Sequence, residues 1–211
     1  MLHKLSTFAG VPGPVVVVIM DGYGIASNKA GSAIDAATKP TLDRLFAQFP
    51  HIRLRAHGTA VGMPSDEDMG NSEVGHNAIG AGQVYSQGAA LVANAIADGS
   101  IWQGSAWQDV IAGAKAGAHG KPGTLHFIGL FSDGNVHSHI DHLRALVVQA
   151  KAEGINTVRI HALLDGRDVP ETSALDYVVP FEAFLQALST DGFDARIASG
   201  GGRQTITMDR Y

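Results

Sequence analysis

The second half of the chain alternates between short apolar runs and amphipathic segments. The runs at 124–130, 157–163 and 195–199 predict three strands. The segments at 138–153 and 173–188 place apolar residues at helical spacing and predict the helices between them. Strands and helices that alternate in this way are typical of a parallel α/β sheet with right-handed crossovers.

The first half is less regular. The continuous β-branched run 15–20 predicts a buried parallel strand. Segment 39–49 has a proline near its start and apolar residues at helical spacing, so it predicts an amphipathic helix. Residues 53–55 suggest a short strand, whereas 89–96 and 102–116 indicate further helices.

Three polar, glycine-bearing loops directly follow the predicted strands of the second half. Because the carboxyl ends of parallel strands form the ligand-binding edge of open α/β sheets, we expect these loops to lie together. Arginine in such loops can grip a phosphate or carboxylate through two parallel hydrogen bonds. Each arginine alone is compatible with a surface role, but the set predicts an anion site. The side chains concerned are His137, Arg167, Asp168 and Arg203.

Segment 66–82 is rich in charged, amide and glycine residues, unlike an ordinary core element. Ser72 is followed at once by Glu73, which is favourable in a first helical turn, so a helix is expected to open on the serine. Two interpretations follow: Ser72 is only an N-cap, or its hydroxyl holds or carries a phosphate at the helix N-terminus. Asp21 likewise is either a turn residue before Gly22 or a functional carboxylate at a strand end.

Composition narrows the chemistry. With 45% hydrophobic residues, the chain can bury a substantial core, and its net charge of −5 argues against a general nucleic-acid binder. The chain has no cysteine, so any metal must be held by oxygen atoms and imidazoles. No stretch predicts a signal peptide or a membrane span, and the default expectation is a soluble cytoplasmic protein.

Five motifs occur in order between residues 15 and 211. They are 18–24, 68–77, 132–139, 164–170, and 201–203 together with 208–211. This set resembles the cofactor-independent phosphoglycerate mutases, a family of alkaline-phosphatase-like metalloenzymes. The resemblance implies interconversion of 3- and 2-phosphoglycerate in glycolysis through a phosphoserine intermediate, without 2,3-bisphosphoglycerate.

The resemblance also implies residue roles. Ser72 would be the nucleophile, and Asp21 and Ser72 would be ligands in a site for two divalent ions, with Mn²⁺ expected and Zn²⁺, Mg²⁺ or Co²⁺ as alternatives. Asp168 would transfer protons to and from the substrate hydroxyls. The small-molecule substrate, 2- or 3-phosphoglycerate, would be bound by His137, Arg167, Asp168, Arg203 and Arg210.

The resemblance implies two incomplete α/β domains. Residues 1–85 would be part of a parallel-sheet, alkaline-phosphatase-like metal domain, and 86–211 part of a substrate domain. Family members are more than twice as long, and the complete protein would be a monomer with no nucleic-acid or membrane partner. Since two ligands cannot hold two divalent ions, we expect this chain alone to be inactive, and we expect it to expose apolar edges.

Two other functions remain open at this point. A metal-dependent phosphohydrolase of the same superfamily would use Ser72 as nucleophile and water as the final acceptor. A non-catalytic phosphoglycerate-binding module would use only the loops of the second half.

Overall fold

The computed structural model describes residues 5–190 and 192–207. Arg210, predicted to bind substrate, lies outside the described residues. The chain divides into two compact units, Met1–Arg53 and Leu54–Tyr211, which are described separately. The expected domain boundary after residue 85 stays a prediction.

The first unit contains short helical elements. A 3-10 turn spans Lys29–Gly31, and helices α1 and α2 span Ala33–Ala36 and Pro40–Gln48. The Ser32 hydroxyl caps α1 by accepting from the Asp35 N–H at 3.2 Å. Helix α2 begins with its proline at the first helical turn, so the predicted amphipathic helix is confirmed.

The buried strand predicted at 15–20 is wrong. These residues form no strand, and the side chains are exposed, for example Val16 at 78% and Val18 at 75%. A strand needs a neighbour to take up its N–H and C=O groups, and no described residue pairs with this run. The short strand suggested at 53–55 is also absent from the described chain.

The second unit is built on a three-stranded parallel sheet. Strands β1 Leu125–Phe131, β2 Thr157–Leu164 and β3 Asp194–Gly201 lie side by side in chain order. Leu125 pairs with Val158 in β2, which pairs with Ala195 in β3. The predicted parallel α/β arrangement is confirmed, and all three strands end at the same edge.

Helices precede and connect these strands. The predicted helices of the second half are confirmed, with bounds shifted by a few residues. The helical elements are the 3-10 turns Gly58–Val61 and Ser100–Gln103 and the helices α3 Ser72–Ala81, α4 Gly88–Ala97, α5 Ser105–Ala116, α6 Ile140–Ala152, α7 Ala174–Leu188 and α8 Arg203–Ile206.

The core lies on one face of the sheet. Val158 and Ile160 of β2 are fully buried with Val147 of α6 and Phe181 of α7. The Phe181 ring contacts that of Phe131 edge-on, with centroids 4.9 Å apart. Aromatic pairs in this geometry add to the burial of their surface, so they fix α7 against β1.

The other face of the sheet is open. Ile128 is 71% exposed there, although parallel sheets normally have both faces covered. On the same three strands, His126 Nδ1 lies 2.9 Å from His161 Nε2, and His161 Nδ1 lies 2.7 Å from the Ser199 hydroxyl. This row of polar side chains links the three strands.

Within residues 5–190 and 192–207, we found no helix with the length and apolar character that crossing a bilayer requires.

Candidate functional site

Ser72 is the first residue of α3, but it does not cap the helix. The cap is Asn71, whose Oδ1 accepts from the Val74 N–H at 2.9 Å. The interpretation of Ser72 as only an N-cap is therefore wrong. The serine is exposed at the positive end of a ten-residue helix, where a bound anion is favoured.

His76 lies one turn after Ser72, on the same side of α3. Its Nδ1 is 2.6 Å from the Ser72 carbonyl oxygen and 3.2 Å from the Ser72 hydroxyl oxygen. Because a carbonyl oxygen can only accept, Nδ1 carries the hydrogen and donates it. In this arrangement Nδ1 cannot take the proton of Ser72. Sequence reasoning did not select His76, although the spacing of four residues places the two side chains together.

A hydrogen bond joins the loop after β1 to the segment before Ser72. Asn135 is buried with φ +55°, and its Nδ2 donates to Asp68 Oδ1 at 2.8 Å. The other Asp68 oxygen accepts from the Ser65 N–H and hydroxyl at 2.7 and 2.8 Å. Burial alone would raise the pKa of Asp68, but the hydrogen bonds from Asn135 and Ser65 outweigh it and hold the pKa below its usual value.

This link borders a cleft of about 340 Å³. The neighbours of Ser72 in the chain, Asn71 and Glu73, line it together with Asn135 and His137. His137 is exposed. The structure thus brings the predicted ligand His137 into the same cleft as the residues on either side of the predicted nucleophile.

A charge cluster joins the loops after β2 and β3. Arg203 opens α8 with only 9% of its side chain exposed, and its Nη1 donates to Asp165 Oδ1 at 2.5 Å and to Asp168 Oδ2 at 2.8 Å. These carboxylates raise the pKa of Arg203 above its usual value, outweighing the opposite effect of burial. The predicted pair Asp168 and Arg203 is therefore in direct contact.

Asp165 is the centre of this cluster, and its side chain is fully buried. Its Oδ1 also accepts from the Arg167 and Asp168 N–H groups, at 3.0 and 3.1 Å. Burial would raise the pKa of Asp165, but the nearby Ser132 hydroxyl, these two amides and Arg203 outweigh burial and lower the pKa overall. Sequence reasoning passed over Asp165, although a carboxylate directly after a predicted strand was a usable signal.

A second cleft of about 840 Å³ opens beside this cluster. It is lined by Arg167, Asp168 and Arg203 among others, and Arg167 is exposed. The loop after β1 closes against it at Gly134, where a Cβ atom would lie 2.9 Å from the Asp168 carbonyl oxygen. Only glycine fits there without a shift of backbone, so the loops after β1 and β2 are in close contact.

The loop after β1 is also held by α7. The Tyr177 hydroxyl donates to Asp133 Oδ1 at 2.6 Å. Burial and this hydrogen bond raise the pKa of Tyr177 to about 12. The tyrosine therefore stays protonated near neutral pH and remains a donor.

Asp21 lies in the first unit, in a turn directly after the extended run 15–20. Gly22 has φ +75°, and the Tyr23 N–H donates to the Met20 carbonyl oxygen, as in the aspartate–glycine turn considered above. The Asp21 side chain is exposed. Its functional role stays a prediction.

The predicted metal ligands match a divalent ion in kind but not in number. Carboxylate and hydroxyl oxygens such as those of Asp21 and Ser72 suit Mn²⁺ or Mg²⁺. Within the described parts of the chain, no group of three or more histidine, aspartate or glutamate side chains converges on a common point. These residues therefore cannot complete a two-ion site by themselves.

Comparison with known proteins gives consistent results. The family model described as the BPG-independent PGAM N-terminus matches residues 92–211. A probable 2,3-bisphosphoglycerate-independent phosphoglycerate mutase from Leptospira interrogans is 57% identical over 199 residues, which cover 93% of this chain and 36% of the relative. The corresponding mutase from Trypanosoma brucei brucei is 47% identical over 199 residues, covering 93% of this chain and 35% of the relative.

A solved structure agrees. Phosphoglycerate mutase from Leishmania mexicana, crystallised at low cobalt concentration, superposes with a TM-score of 0.72 at 48% identity. The match covers 84% of this chain and 32% of that one. The chain thus spans about a third of the length of these relatives and corresponds to their N-terminal portion. It belongs to the family of the BPG-independent phosphoglycerate mutases.

Proposed function

We propose that this chain supplies the phosphoryl-accepting serine and part of the substrate site of an enzyme that interconverts 3- and 2-phosphoglycerate. The observation that carries the proposal is the contact between Asp168 and Arg203 at the ligand-binding edge of the sheet, in a cleft that Arg167 also lines. A carboxylate next to guanidinium groups suits a substrate that has both hydroxyls and anionic groups.

Ser72 is the proposed nucleophile. Its hydroxyl is exposed and takes no part in capping α3, which leaves it available to accept a phosphoryl group. The Nδ1 hydrogen of His76 is donated to the Ser72 carbonyl oxygen, so in this arrangement His76 Nδ1 is not the base that takes the serine proton. The proton of Ser72 must therefore leave by another route.

Divalent ions are part of the proposal, with Asp21 and Ser72 as two of their ligands and Mn²⁺ as the expected metal. The structural relative crystallised with cobalt is consistent with a metal requirement. When bound, such ions lower the pKa of a coordinated hydroxyl and stabilise charge on phosphoryl oxygens. The remaining ligands must come from residues other than those described here.

The substrate-binding residues act on the glycerate. Arg167 and Arg203, with Arg210 outside the described residues, would hold its anionic groups, and His137 would approach from the neighbouring cleft. Asp168 would exchange a proton with the 2- and 3-hydroxyls. Holding glycerate while the phosphoryl group rests on Ser72 lets the group return to the other oxygen, which distinguishes a mutase from a phosphatase.

The whole protein is proposed to act as a monomer in cytoplasmic glycolysis, with no 2,3-bisphosphoglycerate, nucleic acid or membrane partner. The second candidate is a phosphohydrolase of the same superfamily. It would share an exposed Ser72, but it would not need the Asp168–Arg203 pair.

A chimera tests the proposal. This chain would replace the aligned 199 residues of the Leptospira relative, to which it is 57% identical. The purified, cooperatively folded chimera is then incubated with Mn²⁺ and 3-phosphoglycerate. The proposal predicts 2-phosphoglycerate as the main product, detected by coupling to enolase.

Three controls complete the test. The unmodified relative reports on the assay, Ser72→Ala should abolish turnover, and a phosphate assay detects hydrolysis. Release of free phosphate in place of 2-phosphoglycerate would favour the phosphohydrolase. A folded chimera that binds 3-phosphoglycerate without any turnover would favour a binding module and contradict the proposal.

A further inference from the structure

We propose that Asp165 is a positioning residue that holds together the loops after β2 and β3 at the phosphoglycerate site. It is not itself expected to touch the substrate. The inference rests on the proposed function for the identity of the ligand, but its structural part can be tested without one.

Several groups from two loops meet at the Asp165 carboxylate. The fully buried Asp165 accepts from the side chain of Arg203 and from the amides of Arg167 and Asp168. The loop after β1 packs against the same cluster at Gly134, where a Cβ atom would lie 2.9 Å from the Asp168 carbonyl oxygen. The Asp165 side chain therefore connects the loops that follow β2 and β3, and the loop after β1 packs against them.

Asp165 also contributes to the charge balance of the buried Arg203. A buried arginine must be paired, and Arg203 has two carboxylates of unequal exposure, with Asp165 at 0% and Asp168 at 10% of the side chain. With Asp165 bound to the same Nη1, Asp168 does not have to neutralise the guanidinium alone. Asp165 therefore shares the charge of Arg203 with Asp168, and the Asp165 side chain is the one without exposed surface.

The hydrogen bonding of the cluster is incomplete. Within the described residues, the Nε–H of Arg203 and the Oδ2 of Asp165 are buried and have no hydrogen-bond partner. Buried polar atoms without a partner destabilise the fold, so a contribution to stability does not by itself explain this cluster. Its placement beside the 840 Å³ cleft fits an arginine that Asp165 holds in place for a ligand.

A second carboxylate provides a matched control. Asp194 binds Arg159 Nη2 at 2.6 Å and Arg196 Nε at 2.7 Å. It begins β3, so it lies at the opposite end of the sheet from the loops. Asp194→Asn removes a carboxylate from an arginine pair without touching the candidate site.

The test uses Asp165→Asn, which keeps the shape of the side chain and removes its charge. Hydrogen exchange of the arginine side chains is measured by NMR in the 211-residue chain, with the Arg203 signals assigned through Arg203→Lys. We expect the Arg203 protons to exchange about 10- to 100-fold faster in Asp165→Asn, the loss typical of a hydrogen bond to a charged group, and to be unchanged in Asp194→Asn.

The kinetic arm uses the chimera. Asp165→Asn should raise KM for 3-phosphoglycerate by about 10-fold or more, because the arginine loops lose their common anchor, whereas Asp194→Asn should leave KM unchanged. A general loss of stability would affect both variants. Unchanged Arg203 exchange, or an unchanged KM, in Asp165→Asn would overturn the proposal.

Two further outcomes are distinguishable. If the folded chimera does not act on 3-phosphoglycerate but Asp165→Asn still releases Arg203, the proposed function fails and the positioning role stands. If Asp165→Asn does not fold, hydrogen exchange in the unmodified chain tests the positioning role instead. Its Arg203 protons should exchange more slowly than those of Arg196, whose side chain is 73% exposed, and similar rates would overturn the proposal.

Discussion

Asn135 donates a hydrogen bond to Asp68 from 67 positions further along the chain, at 2.8 Å. The donor follows β1, and the acceptor stands four residues before Ser72. Asn135 adopts φ +55°, a conformation that non-glycine residues rarely occupy. The contact therefore fixes the loop that carries His137 relative to the start of α3.

Two substitutions of Asn135 distinguish the contribution of its side-chain hydrogen bond from the cost of its positive φ. Asn135→Ala should lower the free energy of unfolding by about 1–3 kcal/mol, because Asp68 loses a buried partner. Asn135→Gly loses the same hydrogen bond but accepts the positive φ, so it should be about 1 kcal/mol less harmful than alanine. Chemical denaturation measures both, with the exposed Asn156→Ala as control. Equal stability of all four proteins would show that the link contributes nothing.

Gly134 should not tolerate a side chain. Gly134→Ala places a Cβ atom 2.9 Å from the Asp168 carbonyl oxygen, so the two loops must separate. We expect weaker binding of 3-phosphoglycerate and a loss of about 1–3 kcal/mol of stability. Gly113→Ala is the matched control, since that glycine lies in α5 with nothing within 4 Å of the added atom. It should be neutral or stabilising by up to about 1 kcal/mol, and a greater loss there than at Gly134 would contradict the packing described.

Glu153 should matter for stability through Trp107. The buried indole donates from Nε1 to Glu153 Oε1 at 2.7 Å, and this bond is the main cause of the lowered pKa of Glu153. Glu153→Ala leaves the indole without that partner and should cost about 1–3 kcal/mol, whereas Glu153→Gln keeps an acceptor and should cost less. Thermal unfolding followed by tryptophan fluorescence compares them. Equal melting temperatures for Ala and Gln would contradict the proposed role.

Acid should weaken the fold partly through Asp68. Its pKa is lower in the folded chain than its usual value of 3.8, so its contribution is complete above that value. The contribution is lost as the pH falls from about 4 towards the lower pKa of the folded state. Asp68→Asn should therefore lose less stability than the unmodified chain between pH 6 and pH 3, measured by urea unfolding. The exposed Asp109→Asn serves as charge control and should keep the steeper dependence.

The exposed run 15–20 should promote self-association. Six consecutive apolar residues with exposures of 48% or more form an apolar segment that a second molecule can cover. Val16→Lys combined with Val18→Lys should reduce association in sedimentation velocity without lowering the melting temperature of the second unit. Unchanged association of the double variant would contradict the prediction and would mean that another surface causes self-association.

The predictions from the sequence were most accurate where the local hydrophobic pattern and the packing within this chain agree. The three strands and their helices follow from periodicity because β1, β2 and β3 pair with each other inside this chain. The run 15–20 has an equally strong apolar pattern, but a strand depends on a partner that local sequence does not reveal. Its prediction failed for that reason.

Some features of the candidate site could likewise be predicted from the sequence, and others could not. The contact between Asp168 and Arg203 was foreseeable, since both follow neighbouring parallel strands. The roles of Asn71 and Asn135 could not be predicted. Whether Asn71 or Ser72 caps α3 depends on a shift of one residue in the helix start, and the left-handed conformation of Asn135 leaves no periodic pattern in the sequence. The position of Asp165 at a strand end was a usable signal for a site residue, but the full burial of its side chain cannot be inferred from a polar loop.

The most direct test of the account is the phosphorylation of Ser72. The chimera carrying this chain is incubated with Mn²⁺ and 3-phosphoglycerate, quenched in acid within milliseconds, and digested for peptide mass spectrometry. The account predicts one phosphorylated peptide, with the phosphoryl group on Ser72 and absent in Ser72→Ala. An active chimera that forms 2-phosphoglycerate while Ser72→Ala retains full activity would contradict it.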